Sequence, residues 1–439
     1  MTFSFARLRA LLRLPGAHSP LGNRGILAIL VFLQLCHTLD FVLLMPLGPT
    51  LIRTLEIDPR EFGALVSSYT FSAAVSGLLL ASIIDRFDRK RALLSLATGF
   101  AVATLACGVA PTYSLLLIAR TVAGFFGGVM TALAYAIVGD VIPMQKRGAA
   151  VGLLSLAFSI TSIVGIPLGL WLSRSLNWQA PFLVIGVVSL GVIAGAALVL
   201  PPIRGHLSSS SSASKNGFET LKEVFLTRSH WNAFALMVLL NLSAFSLIPY
   251  ISASLVGNVG IAESDLYLTY LVGGSVTFFT ARFIGHWSDR VGKLYVFRRA
   301  TLASIVPILL ISHLPVVPLA VALLCTTLFM VGMNARFVPA VTLTTSVAEP
   351  RLRGGFLAVN SSLQQIAMGL GSAATGLVLV KGTGGKLLHF EWAGVFSALV
   401  TVATFFVSAR LASVERDPSL SSRKTENTPE INLPPAAEG

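Results

Sequence analysis

Residues 81–90 read ASIIDRFDRK, and residues 285–293 read GHWSDRVGK. Each stretch is short and charged, carries an Asp-Arg pair ahead of further basic residues, and separates two long apolar runs. The pairs Asp85-Arg86 and Asp289-Arg290 lie 204 positions apart. Two other landmarks keep nearly that spacing: Pro46 and Pro249 are 203 apart, and Arg147-Gly148 and Arg353-Gly354 are 206 apart. Three landmarks at one offset mark an internal duplication. The chain is therefore expected to consist of two related halves with a central cavity between them.

The runs flanking these loops set the solvent. A membrane-spanning helix needs about 20 mostly apolar residues. Such runs begin near Gly25, Phe62, Ala92, Ser114, Gly148 and Gln179, then near Trp231, Ser264, Arg299, Pro318, Gly355 and Trp392. Of the 439 residues 54% are hydrophobic and only 12% charged, where a soluble chain carries roughly a quarter charged. Mean hydropathy is +0.79. The expected fold is all-α and integral to a membrane, with twelve transmembrane helices in two six-helix bundles. The spans are numbered 1 to 12 in chain order.

The net charge of +13 follows topology rather than nucleic-acid binding. Twenty-four of the 32 lysines and arginines fall in the termini and in alternate connections, five in the other connections, and Arg120, Arg282 and Arg336 inside helices. The positive-inside rule then places both termini and the central linker in the cytoplasm. The linker is recognised by Pro201-Pro202 and by Ser208 to Ser212, a composition that supports no packed element. The expected organisation is a basic N-terminal segment (1–24), a first bundle (25–202), the linker (203–230), a second bundle (231–411) and a disordered tail (412–439). The first segment reads either as a helix lying on the inner leaflet or as a basic tail, and no small-residue cleavage pattern follows it. Cys36, Cys107 and Cys325 all lie in apolar runs, so no disulfide framework and no metal site is expected. No cofactor is expected either. Gly-x-Ser-x-Gly, H-E-x-x-H and a phosphate-binding G-x-x-x-x-G-K-[ST] loop are all missing, so the chain does not read as an enzyme.

The loop at 81–90 resembles the G-x-x-x-D-R-x-G-R-K signature of the major facilitator superfamily, with Ala81 and Asp88 in place of both glycines. The copy at 285–293 is the cleaner match. Arg120-x-x-x-Gly124-x-x-Gly127-Gly128 in span 4 resembles the superfamily's second motif. In span 5, Gly165-Ile166-Pro167-Leu168-Gly169 is similar to the glycine-proline motif of proton-coupled exporters. Together with Asp40-Phe41-x-x-x-Met45-Pro46-Leu47-Gly48-Pro49 and Phe62-Gly63-x-x-x-Ser67-x-Tyr69, these resemble the bacterial drug, sugar or arabinose efflux permeases, over residues 25 to 411. That resemblance implies a bacterial inner-membrane, proton-coupled antiporter that exports a small organic solute as a monomer.

Individual residues sharpen the expectation. Of nineteen acidic residues, Asp40 alone lies well inside a span, and an ionisable group at that depth is costly and usually functional. Arg120 falls at a matching depth as its counter-charge. His37 shares Asp40's helix face, as a proton relay or as a satisfied polar contact. Arg336 has no acid at its depth in its own half; it reads as a site for an anionic group, as a partner for Asp40 across the cavity, or as a side chain snorkelling to the interface. Gln34, Asn241, Asn360, Gln364 and Gln365 read as cavity lining or as interhelical glue. Asp85, Arg86, Arg89, Asp289, Arg290 and Lys293 read as a latch between the halves or as plain anchoring. Gly165, Pro167 and Gly169 read as a close-packed bend. Uptake of a small anion is the alternative transport reading, and a non-transporting sensor or scaffold is the alternative from another class.

Overall fold

The computed structural model describes residues 22–81, 83–204, 217–349 and 351–415. Most of the expected N-terminal segment, the serine-rich centre of the linker and the tail beyond 415 lie outside the described residues. Span 1 is Gly22–Leu43, span 2 Pro59–Ala81, span 3 Arg89–Val109, span 4 Tyr113–Val141 and span 6 Ala180–Val199. Span 5 is a composite of Met144–Ile160, a π-helical turn Thr161–Gly165, and Ile166–Ser175. After the linker come span 7 (Arg228–Phe245), span 8 (Leu266–Val291), span 9 (Lys293–Ser312), span 10 (Leu319–Val347), span 11 (Arg353–Val378) and span 12 (Phe390–Glu415). Ten of the twelve are both long and apolar enough to cross a bilayer. Spans 8 and 11, at 26 residues each, have the length with a more polar make-up.

Three helix irregularities lie close to prolines, whereas Pro307 and Pro339 sit inside the continuous helices of spans 9 and 10. Pro46 has no N–H to donate, so span 1 gives way to turns, with the Met45 amide on the Val42 carbonyl, and restarts as Gly48–Thr54. The second half repeats this: span 7 breaks before Pro249 and restarts as Ile251–Gly257. Both restarted segments are seven residues long, and they pack on each other. In span 5 the π-turn ends at Gly165, two residues before Pro167.

The contacts between halves run chiefly through span 2 against span 11 and span 5 against span 8. They are tightest at the face away from the linker. There one apolar core takes Met45, Leu51 and Phe62 from the first half together with Tyr250, Leu255 and Phe390 from the second. The Tyr250 hydroxyl donates to the Ser372 carbonyl at 2.8 Å and reaches the Pro59 carbonyl at 3.3 Å. Ser67 donates across to the Gly369 carbonyl at 3.0 Å, and Arg53 forms an ion pair with Glu263. Gly63 is required at this seam: a Cβ there would strike the Tyr250 hydroxyl and come within 3.0 Å of the Ser372 carbonyl. Toward the linker face the core splits into one cluster per half, around Leu93, Phe100 and Leu133 in the first and around Phe234, Phe297 and Phe356 in the second. Leu78 of span 2 packs against the second cluster. The halves are thus sealed at the far face and more loosely joined at the linker face.

At the linker face the two loop copies fold differently. Gly292, with φ at +106°, turns span 8 directly into span 9, a conformation that favours glycine. Asp88, at the equivalent position of the first half, has φ −56° and caps span 3 instead. Its carboxylate accepts from the Lys90 amide at 2.9 Å, the Ile203 amide at 3.2 Å and Arg204 Nε at 2.9 Å. Burial works against the charge of this carboxylate, but the Arg204 hydrogen bond and the two amides outweigh it and hold Asp88 below the usual carboxylate range. A group depressed in the folded state contributes stability above its unfolded value and loses it as pH falls through the folded value. Asp88→Ala is therefore expected to cost about 1–2 kcal/mol at neutral pH and to flatten the acid limb of thermal stability, measured by thermal unfolding in detergent across pH.

Candidate functional site

The first half encloses an ion pair. Asp40 sits in the last turn of span 1 before the Pro46 break, and Arg120 in the second turn of span 4. Arg120 Nη1 donates to Asp40 Oδ2 at 2.9 Å and lies 3.4 Å from the Asp40 carbonyl oxygen. Both side chains are wholly buried. Span 2 supplies the third component: the Tyr69 ring lies under the guanidinium, with Arg120 Cζ 4.4 Å from the ring centroid, a cation–π geometry.

The span-4 glycines bring that ring into place. A Cβ at Gly124 would strike the Tyr69 carbonyl, one at Gly127 would come within 2.5 Å of the Tyr69 hydroxyl, and one at Gly128 would strike the Ala73 carbonyl. The motif that begins with Arg120 is therefore the groove in which span 2 lies. The same Gly127 position is 3.0 Å from His37 Nε2, so the imidazole and the phenol are neighbours. Polar groups gather here: the buried Tyr69 Oη and His37 Nδ1 have no protein partner, while Thr104 stands beside Asp40 and Cys107 beside the Arg120 guanidinium. Buried polar atoms are normally satisfied, so unpartnered ones beside a wholly buried ion pair set this place apart from the surrounding apolar core.

The remaining expected residues separate. Arg336 is 1% exposed and stays within its own half. It donates to Thr401 Oγ1 at 2.7 Å and Ser243 Oγ at 3.1 Å, with Met333 Sδ at 2.7 Å. Its burial corrects the snorkelling alternative, and the described contacts do not bring it to Asp40; the hydroxyls of spans 7 and 12 take up its donors first. Gln34 bonds Thr131 of span 4 at 3.1 Å, and Asn241 bonds Gln364 of span 11 at 3.2 Å, so these three tie helices together. Asn360 and Gln365 each keep a buried, unpartnered carbonyl oxygen. Arg89 pairs with Asp140 at the end of span 4, at 3.0 Å, which joins spans within one half rather than across the halves. Arg86, Asp289 and Arg290 are exposed, and Lys293 is half-buried; of Asp85 only the backbone, in a 3-10 turn, is described. Gly165 and Gly169 face Leu39 and Leu43 of span 1, at 2.8 Å and 2.5 Å from the positions a Cβ would take, so the span-5 motif packs that span against the helix carrying Asp40. Among the described residues no cluster of His, Cys, Asp and Glu has the make-up of a metal site.

Sequence reasoning missed Tyr69 and Thr104 as parts of the site. An aromatic and a threonine at helical spacing look like ordinary core; the only cue was Tyr69's place in the span-2 motif.

Residues 30–372 match the Major Facilitator Superfamily, and the chain belongs to that superfamily. It is 26% identical over 376 residues to the uncharacterized MFS-type transporter YwfA of Bacillus subtilis (strain 168), covering 84% of this chain and 87% of that one. It is 24% identical to the inner membrane transport protein YdhP of Escherichia coli O157:H7, covering 83% and 91%. Its fold superposes on the crystal structure of a D-xylose-proton symporter with a TM-score of 0.70 at 14% identity, over 87% and 96% of the two chains. The protein is a multi-pass membrane transporter and not an enzyme.

Breaking a buried ion pair from one side leaves the other charge stranded. Asp40→Leu is expected to lower stability by about 3–5 kcal/mol, while Asp40→Leu with Arg120→Met recovers most of the loss. Thermal unfolding in detergent checks this; a double variant no more stable than Asp40→Leu would trace the loss to packing.

Proposed function

We propose that the chain is a proton-coupled exporter, exchanging protons for a small organic solute across a bacterial inner membrane by alternating access. The observation that carries this reading is the buried Asp40–Arg120 pair, with the unpartnered Tyr69 and His37 atoms beside it, at the one acidic residue that the sequence places well inside a span. A carboxylate held by a single cation in a low-dielectric interior sits close to a balance: burial favours the neutral acid, and the cation favours the anion. A modest change in helix packing tips that balance, which is what coupling to a conformational cycle requires.

The cycle runs as follows. With the linker face in the cytoplasm, as the distribution of arginine and lysine suggests, the described form is the one closed to the outside. Asp40 loses its proton to the cytoplasm in this form, as Arg120 takes up the carboxylate. Opening of the Tyr250–Ser372 seam exposes the opposite side, where Asp40 is protonated again and the solute leaves. His37, one turn away and beside the Tyr69 hydroxyl, serves as the relay. The loops around Asp85 and Asp289 bias the two forms, with Arg89–Asp140 stiffening the first half in the described one. The export direction, and membership of the efflux-permease branch, rest on the resemblance of the span-5 glycine-proline motif. Uptake of an anion through Arg336 is disfavoured, because hydroxyls of its own half already hold that guanidinium. The transporter works as a monomer on this reading.

Asp40→Asn is expected to bind solute but to lose transport driven by a pH gradient, by at least about tenfold. Proton release on adding candidate solutes to the purified protein, wild type beside Asp40→Asn, measures the coupling directly. Full gradient-driven transport by the variant would sink the proposal.

A further inference from the structure

The pair poses a question of charge. When Asp40 takes up a proton, Arg120 loses its anionic partner while remaining a cation in a site without solvent exposure. A guanidinium left free would turn toward other acceptors or toward water. Any such relaxation would stabilise the protonated acid, and the proton would then be hard to expel.

Tyr69 stands where it prevents this. Its ring face meets the guanidinium at 4.4 Å, and the attraction of a cation to a ring does not depend on the charge of Asp40. Tyr69 is itself held from two sides. Gly124 and Gly127 seat it on span 4. Phe41, the neighbour of Asp40 on span 1, packs on it with ring centroids 5.1 Å apart. Phe41 in turn stacks on Phe245 of span 7 at 6.1 Å, so the series Arg120, Tyr69, Phe41 and Phe245 leads from the ion pair into the other half. The Tyr69 hydroxyl has no protein partner, which assigns the contact to the ring rather than to the phenol oxygen. The other titratable groups facing the pair are Cys36 and His37 on span 1 and Cys107 on span 3; none of them offers a fixed anion to the guanidinium.

We propose that Tyr69 is a positioning residue for the ion pair: its ring keeps the Arg120 guanidinium beside Asp40 while Asp40 is protonated, so the cation is in place to drive the proton off. The use of this device in transport rests on the proton-coupled reading above, but the device itself can be tested without transport. The infrared carbonyl band of the protonated Asp40 carboxyl, assigned by its loss in Asp40→Asn, is followed against pH in purified protein. Tyr69→Leu removes the ring and frees Arg120 to move, so the protonation midpoint is expected to rise by about one pH unit, a tenfold gain in proton affinity. Tyr69→Phe keeps the ring and is expected to match the wild type. Where Tyr69→Leu does not fold, Phe41→Leu loosens the ring from behind and shifts the midpoint in the same direction by less. An unchanged or lower midpoint in these variants, an equal rise in Tyr69→Phe, or no titrating Asp40 band at all would overturn the proposal. Failure of the coupling reading shows separately, as gradient-driven transport by Asp40→Asn alongside a normal Tyr69 effect.

Discussion

The hydrocarbon interior offers backbone groups no partner other than the chain itself, and the rest of the structure follows from that constraint. A spanning segment must be helical wherever it meets lipid, so helices break only where protein covers the break. The three breaks described above obey this. Those at Pro46 and Pro249 lie at the far seam, where the restarted segments Gly48–Thr54 and Ile251–Gly257 cover each other. The π-turn of span 5 packs against span 8, with Ser162 against Gly274. The irregular backbone is thus gathered at the interface between the halves, which is also the surface that alternating access must remake. Opening the far seam separates two broken helix ends, and the carbonyls freed there need water, which an open vestibule provides.

The same absence of water governs the side chains. Asp40 and Arg120 tolerate burial because each cancels the other, and Arg336 because three neutral groups surround it. These solutions differ in what they allow. Hydroxyls and a thioether cannot change charge, so the Arg336 site is fixed and serves as an internal brace linking spans 7, 10 and 12. A carboxylate can change charge, so the Asp40 site has two states. On the coupling proposed above, Arg120 drives the proton off Asp40, and the Tyr69 ring of span 2, 4.4 Å from the guanidinium carbon, holds that cation in place.

How much of this was legible in the sequence depended on whether a residue's identity or its distant neighbours decided its role. The duplication was visible because charged loops and prolines resist drift in an apolar chain. Asp40 and Arg120 were visible because charge inside a span is rare enough to point to itself. Tyr69 was hidden because its role arises from glycines 55 and 58 residues along the chain, at Gly124 and Gly127, and nothing in an aromatic side chain announces a cation on its face. The surroundings of Arg336 were hidden for the same reason, since its acceptors lie 93 and 65 positions away on other spans. Asp88 read only as a departure from a glycine pattern. Its φ of −56° and its hold on Arg204 show a different local solution, in which an acid caps the helix and fastens the start of the linker.

The departures between the two halves share a logic. At the offset of 203 that relates Pro46 to Pro249, Asp40 corresponds to Ser243, and an arginine reaches each of them: Arg120 the acid, Arg336 the hydroxyl. At the offset of 204, Asp88 corresponds to Gly292. In both comparisons the first half carries the acid and the second a small neutral residue. A duplicated frame moves symmetrically only if both halves respond alike to proton binding. Among the described residues the wholly buried ion pair lies in the first half, so on the proton-coupled reading proposed above protonation acts on that bundle first. On that reading the response is carried to the seam of Tyr250, Ser372 and Gly63, which joins the halves at the far face.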